Sequence, residues 1–357
     1  MMDLNTLLER QPFSLEQAQK VPIFSSMLSS LTAHHYRRCA PYKKILDGLS
    51  INPDKTLSVI DTPFLPVRLF KSFDLLSIAS DDIQKTMTSS GTTGQSVSKI
   101  FLDKITAGNQ TKVLAKIVSD LIGPKRLPML IIDSKETVTN RSIFSARGAG
   151  ILGFSLFGRG VTYALDANMQ LDLAAVEAFA ERHQGSPVFI FGFTSIIYQH
   201  FVKALQSRNK RLDLHKAILL HGGGWKKLTD IAVDNDAYKK TLHEVAGLTN
   251  VHNYYGMVEQ TGSIFTECTA GHLHASIFSD IIVRRADFSP AAFGEDGLVQ
   301  LVSLLPQSYP GHSILTEDIG VLLGEDDCSC GRLGRHFRIH GRAQQAEVRG
   351  CSDTYAA

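Results

Sequence analysis

The residues of this chain best suited to chemistry run from 88 to 99: Thr88, Ser89, Ser90, Gly91, Thr92, Thr93, Gly94, Gln95, Ser96, Val97, Ser98 and Lys99. Hydroxyls surround two glycines, so the segment combines little bulk with many hydrogen-bond donors. Gly91 and Gly94 can take positive φ, which turns successive N–H groups toward one point and forms an anion nest. Lys99 adds a positive charge just downstream. Such a nest suits a polyphosphate, whose many acceptor oxygens need donors packed closely around them. It is not the G-x-x-x-x-G-K-[ST] loop, because no Gly-Lys pair follows. A Ser/Thr/Gly linker is the alternative, and the apolar segments close on both sides argue against it.

Two further sets carry sulfur. Cys268 and His274 lie on one segment, and Cys328 and Cys330 form a C-x-C on another. Three thiolates and one imidazole make the Cys₃His set that tetrahedral structural zinc accepts. His272 competes for the fourth position, and buried free cysteines are the other reading. Near the end of the chain, Cys351 follows Arg349, whose charge favours the thiolate, the nucleophilic form. An exposed cysteine with no role is the alternative there.

The elements that must position these residues follow from periodicity. Residues 1–85 read as a mainly helical region, with Leu4, Leu7 and Leu8 at helical spacing and Ser14 with Gln17 as a capping box. Pro41 is expected to end a helix that carries His34 and His35. Adjacent histidines point to different helix faces, which favours packing over metal binding. Residues 86–250 read as an α/β nucleotide-binding core: strands at 99–102, 128–133, 187–193 and 214–220 alternate with helices at 107–121, 171–183 and 194–205. Gly222, Gly223 and Gly224 follow a strand at its carboxyl end, where glycines let a flat ring approach the backbone. Gly148 to Gly153 matches G-x-G-x-x-G, but fourteen residues separate it from the preceding strand, so it is not the dinucleotide fingerprint. A glycine-rich wall to a pocket is the expectation there. Residues 251–342 read as a smaller β-rich subdomain with the zinc site, and 343–357 as a C-terminal tail expected to be flexible.

The run Ser89-Ser90-Gly91-Thr92-Thr93-Gly94 resembles the phosphate-binding loop of the acyl-adenylate-forming enzymes. Gly222-Gly223-Gly224-Trp225-Lys226 narrows the resemblance to the acyl-protein synthetases, near the phenylacetate–CoA ligases. The resemblance implies an α/β fold, the adenylate-forming large domain with doubly wound sheets and helices, lacking the mobile C-terminal domain. Gly222 to Gly224 would lie against adenine. Tyr254-Tyr255-Gly256-Met257-Val258-Glu259 is similar to the family's Tyr-Gly-x-Thr/Ser-Glu segment, so Tyr255 and Gly256 would border the nucleotide and Glu259 would reach Mg²⁺. Val258 departs from that pattern and removes a hydroxyl. Thr316-Glu317-Asp318 resembles the family's Thr-Gly-Asp, with Asp318 accepting from both ribose hydroxyls and Glu317 in the place of glycine. Arg338 and Arg342, in the hinge-like segment, are implied at ribose or phosphate, and Gln344 stands where the family's hinge Asp is expected.

The implied reaction is ATP-dependent activation of a fatty or other carboxylic acid to acyl-AMP, then acyl transfer to the Cys351 thiol and hand-over to a partner such as a reductase or carrier protein. With no C-terminal domain to bring the family's lysine, Lys99, Lys226 and Lys227 are the candidates to replace it. A ligase that passes its adenylate to CoA or to a carrier, and a non-catalytic nucleotide binder, are the alternatives. A net charge of +2 over 357 residues gives no case for nucleic acid. Nothing approaches the ~18 apolar residues of a membrane span. Five cysteines, unevenly placed, do not form a secreted framework, so a cytoplasmic protein is expected.

Overall fold

The structure is a computed structural model and describes residues 3–89, 97–139, 146–225 and 232–343. Ser90, Gly91, Thr92, Thr93, Gly94, Lys226, Lys227, Gln344, Arg349 and Cys351 lie outside the described residues. Among the described residues the chain divides into two units. One comprises 3–89, 97–117 and 256–343, and the other 118–139, 146–225 and 232–255.

The apolar runs of the second unit form a parallel sheet in the order Asn250–Tyr255, Ala217–Gly222, Val188–Phe193, Leu127–Ser134, Gly158–Leu165. Every residue of Val188–Phe193 is buried, as a central strand covered on both faces requires. The expected helix after it is present, with a π-helical stretch at Ile197–Val202 that composition does not reveal. Gly148, Gly150 and Gly153 lie inside the helix Ala146–Ser155, away from any strand-to-helix turn. Arg147, on the first turn of that helix, is buried beside Asp133 at 3.2 Å and donates to the Thr137 hydroxyl at 2.8 Å. This pair ties the helix to the carboxyl end of Leu127–Ser134.

The first unit is helical at its start and antiparallel at its end. Helices Leu4–Leu8, Gln17–Arg38 and Ala40–Gly48 precede a sheet in the order Ser279–Arg284, Asp296–Ser303, Ser313–Glu325, Arg335–Arg342, Leu273–His274, Phe265–Glu267. One expectation is corrected here. Ser14 is not a helix cap: its hydroxyl donates to the Gln11 carbonyl, and the helix begins at Gln17, whose N–H donates to the Asp326 carboxylate at 2.8 Å. A distant side chain supplies the cap, which no local pattern announces. The helix bearing His34 and His35 ends at Arg38, ahead of Pro41 as expected, and Pro41 also opens the helix Ala40–Gly48, where its missing N–H costs nothing.

Cys39, Tyr42, Leu46, Leu65, Phe70, Ile100, Leu102, Tyr309 and Ile314 belong to one buried apolar cluster, with Met87 and Met257 packed against it. At roughly 1.5–3 kcal/mol for each large apolar side chain removed from water, this cluster fixes whatever chain segments run through it. Those segments are the strands flanking residues 90–96, the turn before Glu259 and the strand leading to Asp318.

Candidate functional site

The stem of the hydroxyl-and-glycine segment is an antiparallel hairpin, Lys85–Thr88 with Lys99–Leu102, in which Thr88 faces Lys99. One step beyond, Ser89 N–H donates to the Ser98 carbonyl at 3.1 Å, and Ser98 N–H donates to the Ser89 hydroxyl at 2.8 Å. Ser89 thus accepts through its hydroxyl oxygen, and a hydroxyl that accepts can also donate its one proton. Lys99 pairs with Asp74 at 3.4 Å, both about half exposed, so the contact is weak and the ammonium can exchange partners. Asp74 carried no signal in the sequence.

Glu259 lies on the short 3-10 turn Val258–Gln260 and is buried. Three contacts hold this turn. Gln260 Nε2 donates to the Leu301 and Gly311 carbonyls at 3.1 and 2.8 Å. The Tyr309 hydroxyl donates to the Glu259 carbonyl at 2.9 Å. A Cβ on Gly311 would stand 2.2 Å from the Tyr309 ring, so only glycine lets ring and backbone approach this closely. Gln260, Tyr309 and Gly311 escaped sequence reasoning, because their contribution is a long-range contact.

Asp318 stands on the strand Ser313–Glu325 opposite Arg342, whose Nε donates to its carboxylate at 3.3 Å. Glu317 lies between two arginines: Arg68 Nε donates to one carboxylate oxygen, and Arg342 is 3.6 Å from the other. Arg338 is elsewhere on Arg335–Arg342, the strand that also bears Arg342, with its guanidinium 3.2 Å from His272 Nε2. Of the two arginines singled out, Arg342 is therefore the one at the Asp318 carboxylate.

In the second unit, the glycines after the strand Ala217–Gly222 are explained by their neighbours. A Cβ on Gly222 would meet the Tyr254 ring at 2.6 Å, and one on Gly223 (φ +88°) the Phe193 ring at 2.9 Å. Gly224 also has positive φ, at +64°. Tyr255 ends the strand Asn250–Tyr255 and is partly buried.

Cys268, His274, Cys328 and Cys330 come together, with their ligand atoms all within 4.8 Å of one another. Two tight turns present them. Gly271 N–H donates to the Cys268 carbonyl and Gly331 N–H to the Cys328 carbonyl, both at 3.0 Å, with each glycine at positive φ. Register does the rest: Leu273 faces Phe337 and His274 faces His336. The Cys268 and Cys328 sulfurs are 3.8 Å apart, and Cys330 Sγ is 3.4 Å from His274 Nε2. Tetrahedral bonds of ~2.3 Å to sulfur and ~2.0 Å to nitrogen put sulfurs ~3.8 Å apart and a sulfur ~3.5 Å from a nitrogen, so the set has the dimensions to hold a metal ion.

His272 Nδ1 is 3.6 Å from Cys328 Sγ, and His272 Nε2 faces the Arg338 guanidinium. Arginine only donates, so His272 Nε2 accepts. Burial lowers the His272 pKa, which keeps the ring neutral with its proton on Nδ1, aimed at the Cys328 sulfur. His272 is thus placed to donate a hydrogen bond to the sulfur, and His274 supplies the imidazole that stands among the three thiols. Burial lowers His274 to about 3, and burial together with the neighbouring thiols pushes Cys330 up to about 12.

The chain matches the family described as "Acyl-protein synthetase, LuxE" over residues 2–357. It is 23% identical over 360 residues to the long-chain-fatty-acid–luciferin-component ligase of Vibrio harveyi, covering 96% of this chain and 89% of the relative. Among solved structures, an open conformation of 2-hydroxyisobutyryl-CoA ligase, in complex with 2-HIB-AMP and CoA, has a TM-score of 0.69 at 14% identity. That match covers 94% of this chain and 78% of the other. The postadenylation state of the same ligase gives a TM-score of 0.68 at 14% identity, over 94% and 70% of the two chains. The fold is therefore that of the adenylate-forming ligases. With the family matched from end to end, this chain belongs to the LuxE acyl-protein synthetases.

Proposed function

We propose that this protein activates a long-chain fatty acid with ATP and passes the acyl group to its own Cys351 before hand-over to a partner protein. One observation carries the reading most directly: a single apolar cluster fixes the stem of residues 90–96, the turn that bears Glu259 and the strand that bears Asp318. These are three segments from which an adenylating enzyme of this family draws its nucleotide contacts. Family membership supports the reaction class.

In the first step a carboxylate oxygen of the fatty acid attacks the α-phosphorus of ATP. The P–O bond to pyrophosphate breaks, and pyrophosphate leaves with the electron pair. Ser89 to Gly94 and Lys99 would hold the phosphates, Asp318 the ribose hydroxyls, and Gly222 to Gly224 with Tyr255 and Gly256 the adenine. Glu259 would hold Mg²⁺, a hard cation suited to carboxylate and phosphate oxygens, which when bound neutralises charge on the phosphates. In the second step the Cys351 thiolate, its proton lost to solvent, attacks the acyl carbon. The C–S bond forms, the C–O bond to the phosphate breaks and AMP departs. Cys268, His274, Cys328 and Cys330 would hold a structural Zn²⁺ with no part in either step.

ATP–pyrophosphate exchange across carboxylic acids of increasing chain length tests the first step. Exchange that rises with long-chain acids is the expected result; none with any acid refutes the reading. Supplying CoA after adenylate has formed asks whether the acyl group goes there instead. Acyl-CoA formation with no acyl-protein would replace Cys351 as the acceptor.

A further inference from the structure

Glu317 stands where the family's pattern has glycine, and its carboxylate is nearly buried: its side chain is 11% exposed, against 54% for Arg68 and 31% for Arg342. Its setting is built by register. Leu65 lies beside Ile314 and Pro66 beside Leu315 in a parallel pair, and Val67 N–H donates to the Leu315 carbonyl at 2.9 Å. Two residues further along each strand, Arg68 reaches Glu317. On the other side, Asp318 faces Arg342, and Ala343 N–H donates to the Glu317 carbonyl at 2.9 Å. The result is an alternating chain of charge, Arg68, Glu317, Arg342, Asp318. A guanidinium presents a rigid fork of donors, so two carboxylates at two of its nitrogens fix its orientation in a way one does not.

This chain of charge lies beside Ala343. Cys351 lies eight positions after Ala343, so the thiol cannot stray more than about 28 Å from that point at ~3.5 Å per residue. We propose that Glu317, braced by Arg68, is a positioning residue: it holds Arg342 and the start of the tail beside Asp318, and acyl transfer to Cys351 depends on that hold more than adenylation does. Without the Glu317 carboxylate, Arg342 loses one of the two carboxylates that orient its guanidinium, and Ala343 is held there by its backbone hydrogen bond alone, with the side chain before it less fixed. The inference rests on the reading that Cys351 accepts the acyl group.

The test separates the two half-reactions in the full-length protein. Adenylation is read from ATP–pyrophosphate exchange (kcat and KM for ATP), and transfer from rapid-quench capture of acyl-protein after adenylate has formed. Glu317→Gln should slow transfer by about tenfold or more, since small misplacements of a reacting group carry such costs. Its exchange kcat and KM should stay within about threefold of the parent. Arg68→Gln should move transfer the same way by a smaller factor, and Glu317→Asp should recover most of the rate. Equal losses in both half-reactions for Glu317→Gln and Arg68→Gln, at matched melting temperature, overturn the positioning role. An Arg68→Gln variant with unaltered transfer overturns it as well, and that variant reads the brace even where a Glu317 variant folds poorly. A parent protein that exchanges pyrophosphate yet never acquires acyl on Cys351 overturns the underlying acceptor reading, and this inference with it.

Discussion

The strands Ser313–Glu325 and Arg335–Arg342 form one hairpin whose two ends are built on opposite principles. At the turn end, Cys328 and Cys330 meet Cys268 and His274 in a closed, mostly buried set with short distances between soft donors. At the open end, Asp318 and Arg342 keep partial exposure and share charge at 3.3 Å, with Glu317 behind them as a brace. A closed ligand set has little room for a substrate, so its effect is to fix structure. A partly solvated carboxylate beside an arginine can trade one partner for another, as binding a nucleotide demands. On the proposed function the hairpin joins an anchor to a working end, and changes at the two ends should therefore fail differently.

The largest effect is expected at the working end. Asp318→Ala removes an acceptor proposed to take two ribose hydroxyls, and hydrogen bonds to a charged group contribute about 1.5–3 kcal/mol each. Exchange should fall by about 10²-fold or more while the melting temperature barely moves; a variant that unfolds instead would erase the contrast between the ends. At the anchor, Cys328→Ser or Cys330→Ser should lower unfolding free energy by ~3 kcal/mol or more and release about one zinc per chain, read by urea titration and metal analysis. Parent protein that contains no metal and gains no stability from added zinc would break this half of the comparison.

A third prediction uses buried imidazoles that lie away from the sulfur cluster. His35 and His312 stack at 5.0 Å, and His312 shares its Nε2 with the Thr32 hydroxyl at 3.0 Å. Burial depresses both, His312 to about 3 and His35 well below its ordinary value of 6.5. The folded state therefore binds fewer protons than the unfolded chain below pH ~6.5, and stability drops as pH falls, by about 1.4 kcal/mol per pH unit per histidine. For His312 that loss continues down to about pH 3, where the folded form also protonates. A His312→Asn variant should show a shallower acid slope between pH 6 and 4.5 in urea titrations. The smallest effect belongs to the exposed Lys99–Asp74 pair: Asp74→Ala should change stability by less than ~0.5 kcal/mol.

Legibility divides along the same line. The cysteines, His274 and the Thr316 to Asp318 segment are readable because their chemistry is rare and local. Strands such as Lys99–Leu102 and Val188–Phe193 follow from apolar runs between breakers. What stayed hidden requires register between distant segments. Arg68 meets Glu317 only because Leu65 pairs with Ile314. The Gln17 cap comes from Asp326, and the turn at Glu259 is held by Tyr309. His272 and His274 look alike in sequence, and only the guanidinium of Arg338 decides which one donates to sulfur.

The most direct test of the account is intact-protein mass measurement after a single turnover with ATP, Mg²⁺ and a long-chain fatty acid, on the parent and on Cys351→Ala. The account predicts one acyl adduct on the parent that neutral hydroxylamine removes, and on the variant acyl-AMP without an adduct. A hydroxylamine-sensitive adduct that persists on Cys351→Ala, or a parent that forms neither acyl-AMP nor adduct, would contradict it.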